Sequence, residues 1–243
     1  MQGFIAIDSR IYGIFGGYMW LNRLEIMIGK KNIYKLKNTT IAIIGLGGVG
    51  GMALESIVRS GISNIIIVDY DIVDVSNLNR QILSLNDNIN QKKVYVAEKR
   101  IKKINNECNV IILDLFLDKD NINELFKYKI DYVIDACDTV DTKLLLIQNC
   151  IKRNINIISS MGTGNKFDPS KLEIIDISKT KYDPLARIIR KELKHIGINH
   201  VNVVSSTEQP LKISKPVGSN SIVPLTAGLL CSSYVINDIV GEL

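Results

Sequence analysis

The sequence predicts an α/β protein built on a doubly wound, mainly parallel sheet, with an additional C-terminal α/β portion. Three observations predict it. Short, continuous apolar runs that end in turn residues recur from residue 39 to residue 160, as buried parallel strands require. Stretches of helical periodicity separate them, and the connections between the two kinds of segment are short.

The elements follow in order. "TTIAIIG" (39 to 45) reads as the first strand, and "GLGGVGGMALESIVRSG" opens a helix that stops at Gly61. "NIIIVD" is the second strand. "NQKKVYVAEKRIKKIN" is an amphipathic helix with Val94, Ala97, Ile101 and Ile104 at helical spacing. Strand "NVIILDL", a short helix in "DKDNINELFKY", strand "DYVIDA", helix "TVDTKLLLIQNCIKRN" and strand "INIISS" continue the alternation. Beyond Ser160 the rhythm changes. A loop, "MGTGNKFDPSK", leads to strand "LEIIDIS", and "DPLARIIRKELKHIG" is a helix capped by Asp183, started by Pro184 and ended by Gly197. Leu185, Ile188, Ile189, Leu193 and Ile196 fall on its apolar face, with Arg187, Arg190, Lys191 and Lys194 opposite. "HVNVVSS" is a further strand, "TEQPLKISKPVGSNS" a loop and "VPLTAGLLCSSYVINDIV" a closing helix rich in small residues.

Composition narrows the class. A chain of 243 residues with 46% hydrophobic and 23% charged residues suits a soluble globular protein. A net charge of +5 permits an RNA partner without demanding one. Cys108, Cys137, Cys150 and Cys231 are scattered and form no CxxC pair, which argues against a four-cysteine zinc site and against a disulfide framework. The N-terminus has no basic start and is not a convincing signal peptide. The apolar segment "IVPLTAGLLCSSYVI" is short and rich in Pro, Thr and Ser, so no transmembrane segment is expected. The cytoplasm is the natural location, with peripheral membrane association left open.

Gly45, Gly47 and Gly50 satisfy GxGxxG between the first strand and its helix, and Gly48 adds a further glycine. Such a turn lets backbone N–H groups and the helix N-terminus face a phosphate, the Rossmann-like arrangement. Asp69 lies 19 residues beyond Gly50, where a carboxylate can accept hydrogen bonds from ribose hydroxyls. To this point the pattern suits NAD. Asp71, Asn77, Arg80 and Lys93 shift the reading towards a triphosphate, because a guanidinium and an ammonium just past the ribose acid can reach distal phosphates. Asp138, after "DYVIDA", is placed as a Mg²⁺ ligand, since Mg²⁺ favours one or two carboxylates plus phosphate oxygens. Each residue also has a plainer reading. Asn77 can cap a turn, Arg80 can pair with Asp71 or Asp74, and Lys93 can lie on the surface.

Taken together, "GLGGVGG", "VDYDIVDVSNLNRQ", Lys93 in "NQKK", and "DACDTV" resemble the E1-like ThiF/MoeB family of ATP-dependent carboxylate-activating enzymes. The resemblance implies that Asp69 holds the ribose, that Asn77, Arg80 and Lys93 hold the triphosphate, and that Asp138 holds magnesium. "NRLEIMIG" is similar to a family segment whose arginine, here Arg23, enters the partner subunit's site, which implies a homodimer. The second half, from "SSMGTGNKFDPSKLEIIDISKTKYDPLARIIRKELK" to "PVGSNSIVPLTAGLL", looks like the branch of tRNA threonylcarbamoyladenosine dehydratases. That branch implies ATP, Mg²⁺ and a tRNA carrying N6-threonylcarbamoyladenosine at position 37, whose carboxylate is adenylated and then cyclised with loss of water. A monovalent cation (Na⁺ or K⁺) and cysteine-desulfurase-type sulfur-relay partners remain open alongside. The implied organisation is an N-terminal extension over residues 1–18, an ATP-binding region over 19–160, and a crossover loop with a substrate-side region over 161–243. The alternatives are an adenylyltransferase for a ubiquitin-like sulfur carrier and, more remotely, an NAD-dependent oxidoreductase. The absence of CxxC and of a cysteine in residues 159 to 171 weighs against the first. Arg80 and Lys93 weigh against the second.

Overall fold

Alternate residues of each apolar strand point to opposite faces of one sheet, and helices bury both faces. The computed structural model describes residues 19–213 and 216–242; the extension expected over residues 1–18 lies outside them. Strand β1 (Thr40–Ile44) pairs in parallel with β2 (Asn64–Val68) on one side and with β4 (Tyr132–Asp135) on the other, so that Ile43 sits beside Ile67 and Ile134. β3 (Asn109–Leu113) pairs with β2, and β5 (Asn156–Ser160) pairs with β4. β7 (Asn202–Ser206) continues the sheet in parallel beside β5, and β6 (Leu172–Asp176) closes it antiparallel to β7. The order is therefore β3-β2-β1-β4-β5-β7-β6.

One face carries Ile41, Ile43, Ile65 and Ile67 beneath α2 (Gly48–Arg59), α3 (Lys93–Ile104) and α7 (Val223–Val240). The other carries Ala42, Ile44, Ile66 and Val68 beneath α5 (Val140–Lys152) and α6 (Pro184–His195). Period-two strands with both sets buried explain why the sequence shows continuous apolar runs rather than alternation.

α7 is 18 residues long and is the one helix among the described residues apolar enough by length and composition to cross a membrane. It is longer than the apolar stretch legible in the sequence. Its small residues serve packing instead. A Cβ on Gly228 would fall 2.3 Å from the Val49 carbonyl oxygen, and Ser232 Oγ donates to the Ala53 carbonyl at 3.3 Å, so α7 and α2 meet backbone to backbone.

Three elements differ from the sequence reading. A helix, α1 (Asn22–Asn38), precedes β1; Gly29, with φ +75°, interrupts it and obscures its periodicity. The helix expected in "DKDNINELFKY" contracts to one turn, α4 (Ile122–Leu125). On α6, Ala186, Ile189 and Leu193 are buried, but Ile188 and Ile196 are 43% and 50% exposed, so the apolar stripe against the sheet is narrower than its composition suggests. Asp183 Oδ1 accepts from Ala186 N at 2.9 Å, as the cap requires.

Candidate active site

The strand order reverses between β1 and β4, so the helices after these strands lie on opposite faces and a crevice opens at the carboxyl edge. A cavity of about 330 Å³ occupies it. Its floor is the turn from β1 to α2. Gly45 has φ +87°, and a Cβ there would lie 2.8 Å from the Ala136 carbonyl oxygen. A Cβ on Gly50 would lie 1.7 Å from the Gly45 carbonyl oxygen, so no other residue lets the helix begin this close to the strand.

Asp69, at the end of β2, is buried and anchored across this turn. Its Oδ2 accepts from Leu46 N at 2.6 Å and its Oδ1 from Asp71 N at 2.8 Å. Each oxygen keeps a lone pair for a further donor. Asp71 accepts from Lys93 Nζ at 2.9 Å, and the Lys93 side chain is only 6% exposed. The surface reading of Lys93 is thereby corrected: α3 begins at this residue, and its first turn aims the ammonium into the crevice.

Asn77 does cap a turn, since its Oδ1 accepts from Asp74 N at 3.1 Å. Its amide nitrogen has no partner among the described residues, and the residue lines the cavity. Arg80 pairs with neither Asp71 nor Asp74. Nη1 donates to the Ser76 carbonyl at 2.7 Å and to Asn79 Oδ1 at 2.9 Å, which fixes the guanidinium at the cavity wall. Its remaining N–H groups have no protein partner among the described residues. Asp138, past β4, is exposed and also lines the cavity.

Electrostatics follow from this grouping. Asp69, Asp71 and Asp138 lie close enough that the Tyr70 hydroxyl is pushed above its ordinary value, chiefly by Asp71, then by burial, Asp138 and Asp69. Three carboxylates around a polyanion would repel it, so the Arg80 and Lys93 charges need a further cation to offset them. Asp138 has no hydrogen-bond or ion-pair partner among the described residues, which leaves its oxygens available to a cation such as Mg²⁺. No cluster of three metal-ligating side chains occurs among the described residues.

Cys137 is the one cysteine in the lining. Burial first, then the Asp135 charge, pushes its thiol far up, and Sγ donates to Asp135 Oδ1 at 3.0 Å. This environment disfavours the thiolate. Beneath it, Asp135 Oδ2 accepts from Lys143 Nζ at 3.1 Å and from Ser159 Oγ at 2.6 Å, with Lys143 and Asp135 wholly buried. Burial alone would lower Lys143, but the Asp135 charge overrides it and holds the ammonium above its usual value.

Of the expected residues, Gly50 is buried in the turn behind the cavity lining, where it lets α2 pack against β1, and Arg23 stands apart altogether. It lies on the first turn of α1, exposed and outside the cavity lining. The cavity also recruits residues that the sequence did not single out. Gln81 is buried with an unpartnered Oε1. Thr163 and Ser219 arrive from loops distant in sequence. Adjacency to Arg80 was the available signal for Gln81; for the other two the only signal was that their segments carry the family resemblance.

Known proteins share this fold and much of this sequence. A tRNA threonylcarbamoyladenosine dehydratase of Bacillus subtilis (strain 168) is 41% identical over 241 residues, covering 91% of this chain and 95% of that protein. An Escherichia coli (strain K12) protein of the same name is 35% identical over 207 residues, covering 85% and 76%. A crystal structure of the E. coli tRNA N6-threonylcarbamoyladenosine dehydratase in complex with ATP superposes with a TM-score of 0.85 at 33% identity, covering 90% of this chain and 93% of that one. The ThiF family model matches residues 21–201, and the chain belongs to the ThiF family.

Proposed function

We propose that the protein is an ATP-dependent tRNA threonylcarbamoyladenosine dehydratase. One observation carries the reading: a single crevice collects an anchored carboxylate (Asp69), two cations (Arg80 and Lys93) and a carboxylate without a partner among the described residues (Asp138) around a glycine turn. That set fits a triphosphate to be cleaved rather than a dinucleotide to be held.

The strand order supplies the layout. Adjacent strands lie about 4.8 Å apart, so the ends of β3, β2, β1 and β4 present Leu117, Asp69, Gly47 and Asp138 in sequence along the edge. ATP lies across them with its ribose on Asp69 and its phosphates over the glycine turn. Asn77, Arg80 and Lys93 receive the β- and γ-phosphates. Asp138 would hold Mg²⁺, which would offset negative charge on the triphosphate. The substrate carboxylate then attacks the α-phosphorus as the bond to the β-phosphate oxygen breaks, giving the acyl adenylate and pyrophosphate. The carbamoyl group of the same nucleoside attacks the activated carbonyl, AMP departs with the former carboxylate oxygen, and the carbamoyl nitrogen loses its proton to solvent. Because the attacking group is tethered, the second step needs no enzymic nucleophile. The protein's contribution is positioning and charge.

Arg23 completes the site of a second copy. Its exposure outside its own cavity, beside exposed Ile26 and Met27, supports a homodimer joined through α1. The tRNA is held through its phosphates by the basic residues Arg187, Lys191 and Lys194, exposed on α6. In this division residues 19–160 serve the nucleotide, and the crossover loop and the region after residue 160 serve the RNA. The reaction belongs in the cytoplasm, where tRNA is modified. Neither a monovalent-cation site nor a sulfur-relay surface is assigned by any described residue. Sulfur-carrier activation gains no support: among the described residues Cys137, with its thiol pushed up, is the only cysteine lining the cavity.

ATP–pyrophosphate exchange tests the reading. Exchange should require tRNA bearing N6-threonylcarbamoyladenosine and be absent with unmodified tRNA. Exchange driven instead by a Gly-Gly-ended carrier protein would overturn it.

A further inference from the structure

One polar side chain of the cavity has no partner in the fold. Gln81 is only 7% exposed, and it lines the crevice. Its Oε1 is enclosed without a hydrogen-bond partner, and its amide nitrogen has none among the described residues either. A buried carboxamide with both ends unpaired lowers stability, because it has given up water and gained no bond in exchange. An apolar side chain of similar length would fill the same place without that cost.

The backbone fixes where this side chain stands. Gln81 N donates to the Asn77 carbonyl at 2.9 Å, and the Gln81 carbonyl accepts from Ser84 N at 2.9 Å. The residue is therefore held in the turn that carries Asn77 and Arg80. That turn lies against the glycine turn, since a Cβ on Gly48 would be 3.1 Å from the Arg80 carbonyl oxygen. A Cβ on Gly47 would meet Gln81 Nε2 at 3.9 Å and, apart from its chain neighbours, no other described atom within 4 Å. Gly47 precedes α2, whose first turn leaves backbone N–H groups unpaired. Side-chain and backbone donors thus lie together at the floor of the cavity.

Building on the nucleotide placement proposed above, we infer that Gln81 is a further ligand of ATP, its Nε2 donating a hydrogen bond to a phosphate oxygen held over Gly47. Phosphate oxygens accept hydrogen bonds, and a carboxamide nitrogen has two N–H groups to give. A bond to an ionised acceptor is stronger than one between neutral groups, so it can offset the cost of enclosing the amide. The chain position agrees with the role. Gln81 follows Arg80 in sequence and adjoins the glycine turn in space, so it falls between two groups that the triphosphate has to span.

The test uses the full chain and α,β-methylene-ATP, an analogue that cannot release pyrophosphate. Gln81→Met keeps the length of the side chain and removes its polar atoms. It should weaken binding of the analogue by about 10- to 100-fold, the consequence of losing a hydrogen bond to a charged group. Adenosine, which has no phosphate, should bind variant and wild type alike. The melting temperature should stay at or above that of wild type, because an unpaired buried carbonyl has been removed. Gln81→Glu keeps the shape and sets a negative charge against the phosphates, so it should bind the analogue more weakly still. Analogue affinity within about twofold of wild type in Gln81→Met would overturn the inference. An equal loss of adenosine binding, or a lowered melting temperature, would also overturn it, by making Gln81 a residue that shapes the cavity. Wild-type protein that does not bind the analogue would overturn both this contact and the reaction proposed above. Wild-type protein that binds it but makes no cyclised product would strike that reaction alone, since nucleotide affinity still decides the role of Gln81.

Discussion

The Lys93 ammonium lies 2.9 Å from Asp71 Oδ2 and is almost fully enclosed, while the carboxylate is 46% exposed to the crevice. The pair therefore holds a cation at the cavity wall rather than stabilising the fold. Lys93→Ala or Arg80→Ala should lower the rate of adenylation by about 10²- to 10³-fold, the range seen when one preorganised charge partner is removed. Pyrophosphate exchange measures this directly, and thermal unfolding near wild type would separate it from misfolding.

Arg23 is exposed and outside its own cavity. Arg23→Ala and Arg80→Ala proteins, each inactive alone, should recover activity when mixed, up to a quarter of the subunit sites in randomly formed dimers being intact. No recovery after verified subunit exchange would refute the trans assignment.

The Lys143–Asp135 pair is wholly buried, and Asp135 also shapes the turn that leads to Asp138. Lys143→Met strands a buried carboxylate. A loss of about 3–5 kcal/mol is expected, on the order of 10 °C in Tm. Urea unfolding checks the first figure and calorimetry the second.

Glu55 on α2 accepts from Arg100 on α3 at 2.8 and 2.9 Å and from Arg59 at 2.7 Å. Burial would raise its pKa, but the two arginines more than offset this and hold it below 4.5. A depressed folded-state value means that the unfolded chain binds more protons, so the stability from this group is present above the unfolded pKa and is lost as pH falls through the folded one. The stability of wild type should therefore fall more steeply below about pH 4.5 than that of Glu55→Gln. Parallel acid limbs in the two proteins would contradict the coupling.

The thiols are shielded. Burial pushes Cys108 up to about 11 and Cys150 and Cys231 up to about 12, and it raises Cys137 further. Cys137→Ser keeps a donor for Asp135, so it should retain activity within about threefold. A collapse of activity with the fold intact would point to a thiol step and revive the sulfur-carrier reading.

The sequence by itself determined the strands, the glycine turn and many of the polar residues that line the crevice. Apolar runs such as "TIAII" have one stable use, in the middle of a two-sided sheet. Asp69, Asn77, Arg80 and Lys93 were legible because they follow that turn within a short reach of chain. Helix α1 was not, because Gly29 breaks its period, and the α6 stripe was overread because two isoleucines at helical spacing remain in solvent. Only the tertiary structure decided what lies across the site. Thr163 and Ser219 are 56 residues apart in sequence and come together only where Asn165 and Gly218 pair. Periodicity and spacing carry information along the chain; a contact between two loops depends on a sheet order and on close packing that neither loop encodes alone.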